Sequence, residues 1–144
     1  MAMATDLEVM GELRQDEPMS RHTSWRVGGP AETFFIPASV EDLASFLGGL
    51  DENTPLFWHG AGSNLLVRDA GLPGVVISAT RILRHLERVG DQQVRAGGGL
   101  PCTLLARQCV RWRLGPSEFF AGIPGTVGGA LAMNAGAHGG ETWE

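Results

Sequence analysis

Over residues 122–141, seven of twenty consecutive positions are glycine, interleaved with Ala, Thr, Val and Pro. Each glycine loses more backbone entropy on folding than any other residue, so turns alone do not account for this density. A ligand pressed against the backbone accounts for it best, and the alternative is close helix packing through Gly128, Gly129 and Ala132. The run lacks the G-x-x-x-x-G-K-[ST] spacing of a phosphate-cradling loop and contains no Lys, which disfavours a simple nucleoside triphosphatase. The whole chain shares the bias: 21 of its 144 residues are Gly, 11 of them from Gly97 onward, about twice the usual ~7%. With only 8 Pro and 43% hydrophobic residues, it is a folded protein and not a low-complexity segment.

One domain is the default at this length, with about 68–70% of the unfolded chain's surface buried. The formal charge of -5 is spread without basic runs, so a nucleic-acid partner has no electrostatic footprint. Acids stand near the start of the chain where a secretory signal carries positive charge, and no apolar run approaches the ~18 residues a membrane helix needs. These features predict a cytoplasmic protein with no membrane partner. Cys102 and Cys109 are seven positions apart on an expected helix, about 10.5 Å along its axis. That is beyond disulfide reach, so both read as core residues of one face.

The first nineteen residues, ending near Pro18, read as a weak helical or disordered leader. A turn-rich segment, Thr23-Ser24-Trp25-Arg26-Val27-Gly28-Gly29-Pro30, precedes an expected strand from Ala31 to Ile36 that Pro37 stops. Ser39 followed by Glu41 and Asp42 marks a helix start, and Gly48-Gly49 its end. Short buried strands are expected at Leu56-Phe57-Trp58-His59 and Val75-Val76-Ile77-Ser78, and a hairpin turns at Gly90-Asp91. Pro101 suits a first helical position, opening a helix whose stripe is Cys102, Leu105, Ala106, Cys109, Val110 and Trp112. Strands alternating with helices make an α/β pattern.

Gly60-Ala61-Gly62-Ser63-Asn64 leaves a strand directly and offers backbone N–H groups and Ser/Asn side chains as a nest for a diphosphate; the alternative is a tight structural turn. It is not the G-x-G-x-x-G dinucleotide fingerprint, because Leu65 stands at the third glycine and no helix is expected to follow. Gly97-Gly98-Gly99 precedes a helix and is able to receive an anion, though a plain strand-to-helix connection is the favoured reading. His22 and His85 read as surface residues, whereas His59 and His138 adjoin the two glycine motifs. No His or Cys pair has metal-ligand spacing, so no metal is expected. Arg26 is placed to meet a phosphate or a carboxylate, and a solvated surface Arg is the alternative.

The three ordered segments Thr23-Ser24-Trp25-Arg26-Val27-Gly28-Gly29-Pro30-Ala31, Gly60-Ala61-Gly62-Ser63-Asn64-Leu65-Leu66 and Gly122-Ile123-Pro124-Gly125-Thr126-Val127-Gly128-Gly129-Ala130, with Asn134-Ala135-Gly136-Ala137, together resemble the UDP-N-acetylmuramate dehydrogenase family. That family is also called UDP-N-acetylenolpyruvoylglucosamine reductase. The resemblance runs from about Ser20 to the last residue. It implies an α/β, two-lobed FAD-binding fold of the vanillyl-alcohol-oxidase type with FAD between the lobes. The lobes would be residues 20–80 and 81–144, the second incomplete.

On the same resemblance Gly60, Ala61, Gly62, Ser63 and Asn64, with His59 beside them, would hold the pyrophosphate, and Pro124, Gly125, Gly128, Gly129 and Gly136 would line the rest of FAD. The implied chemistry is hydride transfer from NADPH to FAD and on to the enolpyruvyl double bond of a UDP-sugar, in peptidoglycan synthesis. His138 stands where the family often has Tyr and is a candidate substrate contact. The family's proton-donating Ser, substrate-orienting Arg and late Glu belong to segments beyond Glu144, so no residue here is assigned as catalytic. The alternative function is a non-catalytic flavin or nucleotide-binding module, or the FAD subunit of another oxidoreductase.

Overall fold

The structure is a computed structural model, and it describes residues 7–143. The chain divides into two compact units, Met1–Ile82 and Leu83–Glu144.

The first unit is built on a four-stranded sheet in the order β1-β2-β4-β3, where β1 is Glu12–Pro18, β2 is Pro30–Ile36, β3 is Leu56–Trp58 and β4 is Leu72–Ile77. Strands β2, β4 and β3 run parallel, with Phe34 and Phe57 both opposite Val76, while β1 runs antiparallel to β2 from Glu12↔Ile36 to Pro18↔Pro30. Alternation sends successive side chains to opposite faces. Phe34, Ile36 and Val76 join Met19 and Val67 in one core. Phe35 points the other way, its ring centroid 4.1 Å from that of Phe46 on helix α1, Val40–Gly49.

Helix α1 starts where its sequence says it should: the Ser39 hydroxyl accepts from the Asp42 N–H at 3.1 Å. Asp42 does more than the sequence announces. Its buried carboxylate accepts N–H bonds from Met10 (2.8 Å), Gly11 (2.9 Å) and Ala38 (2.9 Å), fastening the chain before β1 to the start of α1. Burial opposes its ionisation, but these bonds outweigh burial and hold the carboxyl below the ordinary Asp range.

Strand β1 corrects the expectation of a helical or disordered leader over residues 1–19; residues 1–6 lie outside the described residues. Its sequence, ELRQDEP, shows no apolar alternation, and Asp16 sits at φ +50, so no strand signal survives. It is an edge strand held by its ladder to β2 and by pairing of Arg14 with Glu12 and Glu17.

The second unit contains the expected hairpin, β5 (Leu86–Val89) with β6 (Gln93–Ala96), then helix α2, Cys102–Trp112. Pro101 is the N-cap of α2 and not its first helical residue, and Arg113 closes the helix in the left-handed conformation at φ 57. Cys102, Leu105, Ala106 and Cys109 are buried as the stripe predicts, whereas Val110 is exposed. Both cysteines are free, and burial raises the Cys102 thiol above the ordinary range. A 3-10 turn, Ser117–Gly122, leads to the short helix α3, Val127–Met133. A small hairpin, β7 (Gly136–Ala137) with β8 (Gly140–Glu141), follows.

Candidate functional site

The carboxyl ends of the parallel strands β2, β4 and β3 open onto a crevice of about 700 Å³ in the first unit. Open α/β sheets bind ligands outside the carboxyl ends of their strands. Its walls carry the residues that follow those ends: Ser78 and Thr80 after β4, and His59, Gly60 and Ala61 after β3. Arg14, Arg21, Arg26 and Arg81 also line it, with Thr23 and Ser24, and among the described residues no Asp or Glu does. Of these, only Arg26, His59, Gly60 and Ala61 were legible as candidates.

The 60–64 loop is held open by contacts to its neighbour. The Ser24 N–H donates to Gly62 O at 3.0 Å, and Gly62, at φ +68, lies so close to the 22–23 segment that a Cβ there would stand 1.9 Å from His22 O. Only glycine fits this position. Among the described residues no partner accepts from the five N–H groups of residues 60–64. Gly62 is buried, Ser63 half-buried, and Ala61 and Asn64 exposed.

His59 braces this loop from below. Its Nε2 lies 2.8 Å from His22 O, and a carbonyl only accepts, so Nε2 carries the proton and Nδ1 is left as a buried acceptor without a partner among the described residues. Burial pushes the imidazole below the ordinary His range, the bond to His22 O opposes this, and the neighbouring His22 lowers it further. His59 is therefore neutral near pH 7. His22, expected as a surface residue, stacks on Phe34 at 4.3 Å and bonds the buried Glu17 at 2.8 Å. Burial disfavours Glu17 ionisation, but the bonds from His22 and Arg14 prevail and keep it below the ordinary Glu range.

The second unit treats its glycines differently. Gly128 N–H donates to Gly98 O at 2.8 Å, Val127 N–H to Leu100 O at 2.9 Å, and Gly129 N–H to the Thr126 hydroxyl at 3.3 Å. The first N–H groups of α3 are thus already satisfied. Cys102 N–H likewise donates to Gly125 O at 2.9 Å, Gly97 N–H to His85 O at 2.9 Å and Gly99 N–H to Leu83 O at 2.8 Å, while Gly98 N–H has no acceptor among the described residues. A Cβ on Gly128 would come 3.0 Å from Gly98 O, which makes close packing its reason for being glycine. Pro124, Gly129 and Gly136 are exposed, and Gly125 is half-buried. His138 is exposed at φ 54 and lines a smaller pocket of about 440 Å³ with Pro116, Glu118 and Phe119.

Residues 31–144 match the family described as FAD binding domain. The chain belongs to that family. It is 60% identical over 133 residues to a UDP-N-acetylenolpyruvoylglucosamine reductase of Alkalilimnicola ehrlichii, covering 92% of this chain and 44% of that protein. With the reductase of Methylococcus capsulatus the identity is 54% over the same shares. The solved UDP-N-acetylenolpyruvylglucosamine reductase of Thermus caldophilus superposes with a TM-score of 0.65 at 32% identity, over 93% of this chain and 46% of the other. These matches bear out the resemblance and the α/β FAD-binding fold. The chain spans less than half the length of the relatives it matches.

The residues present fit a flavin dinucleotide. A pyrophosphate needs donors, and the crevice brings Gly60 and Ala61, whose N–H groups have no acceptor among the described residues, together with arginine side chains.

Proposed function

We propose that this chain is the FAD-holding part of a UDP-N-acetylenolpyruvoylglucosamine reductase. The observation that carries the reading is the run of five N–H groups at residues 60–64 without an acceptor among the described residues, beside an arginine-lined crevice at the ends of three parallel strands. Gly60, Ala61, Gly62, Ser63 and Asn64 hold the pyrophosphate, with neutral His59 supporting the loop from inside. Pro124, Gly125, Gly128, Gly129 and Gly136 line the remainder of the cofactor. Because the Gly128 N–H is bonded internally, that residue offers only its α-carbon surface.

When bound, FAD supplies a centre that accepts and returns a hydride. The residues of this chain bind and orient it. The whole enzyme's reaction is NADPH-dependent reduction of UDP-N-acetylenolpyruvoylglucosamine to UDP-N-acetylmuramate in peptidoglycan synthesis, with catalytic groups outside these 144 residues and His138 as a substrate contact. The 60% and 54% identities to proteins bearing that name support it. Among the described residues no helix is long and apolar enough to cross a membrane, and a cytoplasmic location is part of the reading.

The test is the visible spectrum and turnover of the purified chain. Bound flavin absorption supports the reading, and NADPH oxidation with the enolpyruvyl sugar would show self-sufficiency. Colour without turnover is the outcome expected of a part that holds FAD without the catalytic groups, and a folded protein that stays colourless with added FAD overturns the reading.

A further inference from the structure

We propose that Arg26 is the anion clamp of the crevice: its guanidinium meets the diphosphate of the bound dinucleotide, and the turn around it is built to aim it there. The identity of the anion rests on the flavin reading above, whereas the clamp itself rests on charge and geometry. Among the described residues four arginines and no Asp or Glu line the crevice, in a chain whose formal charge is -5.

Three of the four are already engaged. Arg14 and Arg81 share Glu12, Arg14 reaches Glu17 at 3.0 Å, and Arg21 lies 3.8 Å from the same Glu17. Arg26, alone of the four, makes no ion pair and no side-chain hydrogen bond with any described residue.

Its backbone is also held in a disfavoured state. Arg26 sits at φ 55, a conformation that side-chain-bearing residues keep only where the surroundings over-determine it. The surroundings do so. Arg26 N–H donates to Thr23 O at 3.1 Å, the Thr23 hydroxyl donates to Val27 O at 3.1 Å, and the Ser24 N–H ties the turn to Gly62 O at 3.0 Å. Glycine would hold the same turn without strain, so what arginine adds at this position is its side chain. A planar guanidinium fork matches two phosphate oxygens at once. The clamp is therefore stapled to the same loop that presents the free N–H groups.

Arg26→Gly separates the two roles, because it removes the charge while relieving the strained φ. The experiment titrates the 144-residue chain with FAD by flavin fluorescence at low and high salt, with riboflavin and inorganic pyrophosphate as further probes and thermal unfolding alongside. The expected result is a Tm equal to or above that of the parent chain. FAD affinity falls roughly tenfold to a hundredfold, as for loss of a charged hydrogen bond. The salt dependence flattens, riboflavin binding is unchanged, and Arg26→Lys restores part of the loss. Unchanged FAD affinity and salt dependence in Arg26→Gly overturn the clamp, as does an equal loss of riboflavin affinity, which would mark a structural role. If the parent chain binds no FAD but pyrophosphate raises its Tm in an Arg26-dependent way, the dinucleotide reading fails and the clamp stands. If neither FAD nor pyrophosphate acts on the parent chain, the clamp fails as well.

Discussion

Two sets of glycines, the 60–64 loop of the first unit and Gly97, Gly99 and Gly128 of the second, are used in opposite ways. In the first, glycine at position 62 lets the loop press against His22 O while the N–H groups of residues 60–64 have no partner among the described residues. In the second, Gly97 N–H donates to His85 O at 2.9 Å, Gly99 N–H to Leu83 O at 2.8 Å and Gly128 N–H to Gly98 O at 2.8 Å. There the missing side chains let backbone meet backbone. Glycine density therefore marks close approach, and only the partner on the other side decides whether that approach serves a ligand or the fold. The 60–64 loop leaves its N–H donors open among the described residues. At Gly97, Gly99 and Gly128 nearby carbonyls close the donors.

Substitution by alanine separates the two uses. Gly62→Ala puts a Cβ 1.9 Å from His22 O at a positive φ, and the clash and backbone strain together cost about 4 kcal/mol. Chemical denaturation measures it. Gly128→Ala meets Gly98 O at 3.0 Å but gains about 1 kcal/mol of helix propensity, so its net effect is expected to be much smaller. Equal losses at the two sites would end the distinction drawn between the units.

Next in size is Asp42→Ala, which strands three backbone donors and is expected to cost about 3 kcal/mol. The same carboxylate sets a pH response. Its folded pKa is lowered below that of the unfolded chain, so its contribution is complete above the unfolded value of about 3.9 and is lost as pH falls toward the folded value. Acid unfolding monitored for Asp42→Asn should show a flatter slope below about pH 4 than the parent chain. An identical slope would remove Asp42 from the account of the first unit's stability.

In the second unit, Thr126→Ala deletes the hydroxyl that caps α3 at Gly129 N–H and is expected to cost about 1 kcal/mol. The smallest effect is a gain. Gly129 lies in α3 with no atom closer to an added Cβ than the Thr126 hydroxyl at 3.5 Å, so Gly129→Ala should stabilise by about 0.5–1 kcal/mol. Scanning calorimetry checks the gain, and a parallel FAD titration asks whether this glycine faces the cofactor. Stabilisation with weakened FAD binding would show that in the second unit, too, one glycine is kept for a ligand.

Helix α1, helix α2 and the β5–β6 hairpin were legible in the chain because their signals are local. A cap at Ser39, a buried stripe from Cys102 to Cys109 and a Gly90-Asp91 turn each operate within a few residues. The motif around residues 60–64 was legible for the same reason, as was the family it resembles. What the sequence by itself determined is thus the set of local elements, the glycine-bearing loops and the kind of cofactor they point to. Tertiary structure alone decided the rest. Strand β1 has no apolar period and exists through its ladder to residues 30–36. The crevice gathers arginines from positions 14, 21, 26 and 81, a grouping that no spacing along the chain expresses. Whether a glycine N–H stays open at residues 60–64 or is closed by Gly98 O depends on which distant carbonyl folding brings near, since a backbone donor is satisfied in space and not in sequence.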